Sequence, residues 1–170
     1  CVLFSLVGCF TFINLHLAAE PYHLSSSDLA NIYMVYLIGM VITPLSTQII
    51  GRFGAKKTVL MAVSVSMVGV LGTLSTPLWG IVLALAIMST GVFITQAATI
   101  SYIAKNVTQN RSLASGLYYM GYYTGGTIGA TVCGLAYARG AWGMTVLTLL
   151  AVQVFALLVA SYIMVARKAS

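Results

Sequence analysis

Two histidines and a glutamate follow one another at spacings of four and three, a pattern that could do chemistry. On one continuous helix, His16, Glu20 and His23 would share a face, and two imidazoles with a carboxylate form a set able to bind zinc. Pro21 interrupts the set, because it removes a helix hydrogen bond and biases the preceding residue away from helix. We therefore expect His23 in a loop and no bound metal or other cofactor, while a metalloenzyme that uses these three residues stays open as an alternative.

Four tyrosines lie close together further along the chain. Tyr118 and Tyr122 share one helix face, and Tyr119 and Tyr123 share the next. A phenol hydroxyl buried in an apolar medium without a partner costs several kcal/mol, so we expect some of these hydroxyls to face water. Two interpretations stay open: the lining of a substrate path, and anchoring at a membrane surface.

The same segment carries glycines at a spacing of four. Gly121, Gly125 and Gly129 form a flat stripe on one helix face, which Cys133 continues. In a membrane such a stripe lets two helix backbones approach closely. We expect it to serve packing within the chain, and the alternative is a sliding surface against a partner.

The composition places all of these residues in a membrane. Hydrophobic residues make up 60% of the chain and charged residues only 6%, and the mean hydropathy is +1.00. A soluble domain carries about 25% charged residues, because its surface must face water. Backbone groups in hydrocarbon must be satisfied within the segment, so long charge-free runs predict helices. The predicted class is an all-α membrane protein.

Six spans follow from the runs between the charges. The run over residues 58–104 would reach about 70 Å as one helix, and residues 76–80 supply a turn in its middle. We place the spans at roughly 2–19, 29–50, 57–75, 78–104, 111–137 and 142–166, each near the length that a bilayer requires. The connections are short, which predicts a single six-helix bundle over residues 1–170. Asp28 is expected to cap the second helix.

The lysines and arginines predict the orientation, since they retard translocation and mark the cytoplasmic side. Seven of the eight fall on one side of the predicted bundle: Arg52, Lys56, Lys57, Lys105, Arg111, Arg167 and Lys168. Only Arg139 falls on the other side. Both termini are then cytoplasmic, Glu20 and Asp28 lie outside, and Trp79 and Trp142 lie in the outer interface. The net charge of +6 follows from this topology and calls for no nucleic acid.

The second connection, residues 51–57, reads GRFGAKK. It resembles the signature loop of the major facilitator superfamily, G-x-x-x-D-R-x-G-R-R, in which glycines and basic residues form a tight cytoplasmic turn. Arg52, Gly54 and Lys56 fall on motif positions, whereas Gly51 stands at the position of the aspartate. In the family that aspartate takes part in gating, so the resemblance implies a turn here rather than a gate.

The resemblance extends over the rest of the chain. Residues 14–24, 30–50 and 115–134 are similar to the seventh, eighth and eleventh helices of bacterial efflux-type members, in the branch of sugar, cyanate and drug exporters. It implies half of the family fold, a three-plus-three inverted repeat whose first and fourth helices face a central cavity. The cavity candidates are then Asn14, His16 and Gln96, followed by Tyr33 and Tyr36.

The implied function is alternating-access transport of a small neutral or lipophilic solute, with efflux coupled to protons, and no enzyme chemistry. No Asp, Glu, Lys or Arg lies at the middle of a predicted span, so we expect the coupling acid in another part of the transporter. In this chain His16 is the first candidate for proton coupling and Glu20 the second. Cys1 begins inside an apolar run without an initiator methionine, which suggests that residues precede it. The expected partners are the bilayer and either the N-terminal half of the same polypeptide or a second copy. The expected location is a bacterial inner membrane, and a structural membrane subunit is the other alternative.

Overall fold

The computed structural model describes residues 1–107 and 109–166, without the side chains of Tyr36, Ile38, Met40 and residues 163–166. The helices are α1 (Val2–Ala18), α2 (Ser26–Ile32), α3 (Val35–Phe53), α4 (Ala55–Gly72), α5 (Leu78–Asn106) and α6 (Arg111–Ala166). The described residues contain helices and turns and no strand, so the predicted all-α class is confirmed.

The last helix is two antiparallel arms rather than one rod. Its backbone leaves helical geometry at Gly140 and Ala141, where Ala141 has φ 50° and ψ −146°. We call residues 111–139 the first arm and residues 142–166 the second arm. Tyr118 of the first arm and Phe155 of the second line the same cavity, although a straight helix would place them about 55 Å apart. The chain therefore reverses its direction at the break.

Within the described residues, three helices are long and apolar enough to cross a bilayer: Ala55–Gly72, Leu78–Asn106 and Arg111–Tyr162. The helix Val2–Ala18 is apolar but shorter. The predicted span 29–50 begins within α2 and is interrupted at Tyr33 and Met34, before α3 begins at Val35. That six segments each cross the bilayer stays a prediction.

Glycines bring the helices into backbone contact. A Cβ atom on Gly91 of α5 would lie 2.4 Å from the carbonyl oxygen of Ala62 in α4, and one on Gly69 would lie 2.4 Å from the backbone nitrogen of Met88. Between α1 and the first arm, a Cβ atom on Gly129 would lie 2.6 Å from the carbonyl oxygen of Phe4. Close approach of this kind stabilises helix pairs in lipid, where the hydrophobic effect does not drive helices together.

The bundle has two ends of opposite character. We call the end that carries Glu20 and Asp28 the acidic end. There the Tyr22 hydroxyl donates to the carbonyl oxygen of Thr76 at 2.7 Å, and the Trp142 indole donates to the carbonyl oxygen of Thr73 at 3.2 Å. These bonds join the connection after α1, the connection after α4 and the start of the second arm. We call the opposite end, where α3, α4, α5 and the first arm meet their basic connections, the basic end. Its described cations are Arg52, Lys56, Lys57, Lys105 and Arg111.

The turn at the basic end depends on one glycine. Gly54 alone separates α3 from α4, and its φ of 78° with ψ of 152° is a backbone conformation that is essentially restricted to glycine. Its N–H donates to Ile50 at 2.8 Å, and the Thr58 hydroxyl donates to its carbonyl oxygen at 2.9 Å. The turn is thus hydrogen-bonded to both helices that it joins.

Two local predictions are wrong. Asp28 does not cap α2, because the helix begins at Ser26: Ser25 is the N-cap, and Asp28 accepts its backbone N–H in a capping box. The Trp142 ring does not face an interface, because it follows the break at Ala141 and packs inside the bundle, where it is only 3% exposed. Trp79 is 73% exposed.

The close approach of α4 and α5 predicts an effect of Gly91→Ala. The added methyl group overlaps backbone atoms of α4, which cannot rotate away, so the free energy of unfolding should fall by about 1–3 kcal/mol. Thermal unfolding in detergent, followed by circular dichroism, measures the change. Gly51→Ala is the matched control, because nothing lies within 4 Å of its added methyl group. Equal stability of the two variants would contradict the packing described here.

Candidate functional site

A hydrogen bond between side chains joins α5 to the first arm at mid-depth. The Tyr122 hydroxyl donates to Oε1 of Gln96 at 3.0 Å, and both side chains are half-buried. Gln96 precedes the end of α5 at Asn106 by ten residues, or about 15 Å. Within the described residues the amide nitrogen of Gln96 makes no hydrogen bond, so it can donate to a solute.

A second pair joins α1 to the junction of α2 and α3. The amide nitrogen of Asn14 donates to the Tyr33 hydroxyl and to the carbonyl oxygen of Phe10, the latter at 3.0 Å. The amide oxygen of Asn14 is buried and has no hydrogen-bond partner in the described part of the chain. Because Asn14 lies four residues before the end of α1, this pair is nearer the acidic end than the Gln96 pair. Tyr36, the remaining candidate of this group, has a side chain outside the described residues.

His16 is engaged in aromatic packing. Its ring stacks on Trp142 at a centroid distance of 5.7 Å and an interplanar angle of 12°, and it meets Tyr22 edge-on at 5.8 Å. Glu20 and His23 approach each other to 4.0 Å, and both are largely exposed. No group of three His, Cys, Asp or Glu side chains that could hold a metal ion occurs in residues 1–107 and 109–166. The structure therefore does not assemble the set that the metalloenzyme alternative requires.

Tyr118 lies apart from the Gln96 pair, although its ring contacts that of Tyr122 at 5.8 Å. It lines a cavity of about 410 Å³ at the basic end, together with Lys56 and Tyr102. Its hydroxyl is buried and has no partner among the described residues. The two tyrosines of one helix face thus have different surroundings.

The motif residues of the second connection take different roles. Gly54 forms the turn, the Arg52 guanidinium lies 5.6 Å from the Phe53 ring centroid, and Lys56 Nζ lies 5.9 Å from that of Tyr102. Lys56 is the motif residue that reaches the cavity.

The glycine stripe does not act as a unit. Gly129 packs on the backbone of Phe4, whereas an added Cβ atom at Gly125 would meet only the Cys1 nitrogen, at 3.6 Å. At Gly121 nothing lies within 4 Å. Close packing is therefore confined to the half of the stripe that lies against α1.

One buried polar pair was missed by sequence reasoning. Gln153 in the second arm donates to the Ser66 hydroxyl of α4 at 2.9 Å, and its own amide oxygen has no partner among the described residues. A lone amide in the apolar run 142–166 is a signal that could have indicated this contact.

The Gln96 pair predicts an effect of Tyr122→Phe. The variant leaves Oε1 of Gln96 without its donor, so the free energy of unfolding should fall by about 0.6–1.5 kcal/mol. Tyr123→Phe is the matched control, because Tyr123 is 63% exposed. Unfolding in detergent measures both variants, and a loss as large in the control would show that the hydrogen bond does not carry the effect.

Comparison with known proteins identifies the family to which this chain is similar. Three bacterial relatives match most of this chain. An uncharacterized MFS-type transporter of Bacillus subtilis (strain 168), YybF, is 26% identical over 83% of this chain and 35% of its own length. An uncharacterized transporter of Buchnera aphidicola subspecies Baizongia pistaciae is 24% identical over 84% of this chain and 36% of its own length. An uncharacterized transporter of the subspecies Schizaphis graminum is 27% identical over 81% of this chain and 33% of its own length. No solved structure matches the chain.

The chain spans about a third of the length of these relatives. The sequence model of the Major Facilitator Superfamily matches residues 1–170 of this chain. The helical architecture is consistent with half of that fold. On these grounds the chain belongs to the Major Facilitator Superfamily, as its basic turn and glycine-rich helix indicate.

Proposed function

We propose that this chain forms one half of a secondary transporter that moves a small neutral or lipophilic solute by alternating access. Membership of the family and relatives named as transporters support transport rather than enzyme chemistry. The observation that carries the proposal is the Gln96 and Tyr122 pair, because it places an amide donor at mid-depth, where solutes bind in such transporters. The other wall of the site comes from the N-terminal half of the same polypeptide or from a second copy.

The chemistry of the candidate residues supports a substrate without strong charge. Asn14, Tyr33, Gln96 and Tyr122 offer amides and phenols, which donate and accept hydrogen bonds but carry no fixed charge. A strongly anionic solute would need cations at this depth, and the described cations lie at the ends of the helices. A neutral sugar or a lipophilic drug fits such a lining.

Coupling to protons is part of the proposal, and its acid lies outside this chain's spans. Glu20 and Asp28 lie in the connection after α1 and at the start of α2, near the acidic end. His16 is the histidine among the candidate path residues, but its ring is stacked on Trp142. We therefore assign the coupling carboxylate to the other half. We propose efflux as the direction of transport because the sequence resembles efflux-type members of the family.

The basic end is proposed to face the cytoplasm of a bacterial inner membrane, with both termini on that side. The distribution of lysine and arginine supports this orientation, and the relatives are bacterial.

Single cysteines at the two ends test the orientation, in a background with Cys1, Cys9 and Cys133 replaced by alanine. Lys57→Cys should react with a membrane-impermeant maleimide in inside-out vesicles, and Thr76→Cys should react in right-side-out vesicles. Both residues are exposed, so burial does not confound the comparison. The reverse pattern would place the basic turn outside and contradict the proposed orientation.

Alternating access predicts that Gln96→Cys reacts with the impermeant maleimide in vesicles of either orientation. A site at mid-depth opens to each side in turn, so the labelled fraction should rise with time in both preparations. Val154→Cys is the control. Val154 is 43% exposed in the middle of the second arm, and we expect its side chain to face lipid. A Gln96→Cys variant as unreactive as this control would support a structural subunit instead of a transporter.

A further inference from the structure

The cavity at the basic end is a second site, separate from the proposed substrate path. Its volume of about 410 Å³ falls within the range of ligand pockets, about 300–1,000 Å³, and it lies between α1, α4, α5 and both arms of α6. Gln96 and Tyr122 do not line it. The cavity extends from exposed residues such as Phe155 (59% exposed) to buried ones such as Val63 (5%), so it leads from the surface into the bundle.

Most of the wall is apolar. Nine of the fourteen lining residues are Ala, Val, Phe or Cys. The hydroxyls of Thr95 and Thr99 add little polarity, because they donate to the carbonyl oxygens of Gly91 and Thr95 at 2.7 Å and 2.8 Å. A wall of this kind binds an alkyl chain by dispersion and by removing apolar surface from water.

The charged side chain of the cavity lies at the basic end of the bundle. Lys56 lies in the first turn of α4, about 10 Å along the helix axis from Val63. The side-chain carboxylates of the chain, Glu20 and Asp28, both belong to the acidic end, so neither can neutralise Lys56. The Tyr118 hydroxyl is buried without a partner in the described residues, which leaves a donor available to a ligand oxygen.

We propose that this cavity binds an anionic phospholipid of the surrounding bilayer. One acyl chain enters the apolar wall toward Val63, and the phosphate of the head group pairs with the Lys56 ammonium and accepts a hydrogen bond from Tyr118. Basic pockets between transmembrane helices are suited to such head groups, and the other cations of the basic end add long-range attraction. The ligand differs in charge and source from the solute proposed for the Gln96 site.

Neighbouring lysines test the head-group contact. The full polypeptide that carries this chain is purified in detergent, and binding of dioleoyl phosphatidylglycerol and dioleoyl phosphatidylcholine is measured by native mass spectrometry. Lys56→Gln should weaken phosphatidylglycerol binding about fivefold, the effect expected of one lysine near an anionic head group. Lys57→Gln, which removes the same charge from an exposed residue outside the cavity, should change it less than about twofold. Equal losses in the two variants would show diffuse surface attraction and overturn the site.

Filling the cavity tests the acyl-chain contact separately. Ala160→Phe places a ring in the cavity and should abolish phosphatidylglycerol binding with Lys56 intact, whereas Ala151→Phe, on an exposed face of the same arm, should leave it unchanged. Retained binding in Ala160→Phe, or equal binding of phosphatidylcholine by the unmodified protein, would overturn the proposal. The maleimide reactivity of Gln96→Cys does not depend on whether the cavity binds lipid. Failure of the lipid proposal is therefore distinguishable from failure of the transport proposal.

Discussion

Hydrocarbon offers no water to a backbone amide or a side-chain hydroxyl, and the structure of this chain depends on that constraint. The described backbone is helical almost throughout, and most of the described threonine hydroxyls donate to a carbonyl oxygen three or four residues earlier in the chain, as Thr43, Thr95 and Thr127 do. Hydroxyls engaged in this way carry no information about neighbouring helices. The informative polar groups are the few that reach across, since each of them determines how two helices are rotated against each other.

Helix association then depends on contact distance rather than on apolar burial. Lipid tails are as apolar as leucine, so two helices gain stability only where their atoms pack better with each other than with lipid. Gly69, Gly91 and Gly129 provide this contact, because the absence of a side chain lets one backbone touch the next. Large side chains such as Val41, Val68 and Leu158 remain exposed on the outside of the bundle, as expected of a surface that meets lipid.

Charged side chains are distributed unevenly along the bundle. The basic end carries Lys56 and a cavity whose wall is mainly apolar, and at the acidic end Tyr22 and Trp142 form hydrogen bonds between connections while His16 stacks on Trp142. Between the ends, the described side chains offer hydrogen bonds without charge, as at Gln96. This distribution is complementary to the neutral solute proposed at mid-depth and to the anionic lipid proposed at the basic end.

The sequence by itself determined the all-α membrane class, the position of a glycine turn between two basic residues and the family, because composition, charge spacing and turn chemistry are local properties of the chain. It also indicated which residues carry polar groups, but not their partners. Only the tertiary structure paired Gln96 with Tyr122, buried Trp142 against His16 and placed Tyr118 in a cavity with Lys56. These outcomes depend on how each helix is rotated about its axis and where the break at Ala141 reverses the chain, and periodicity cannot specify contacts between helices to within a few ångströms.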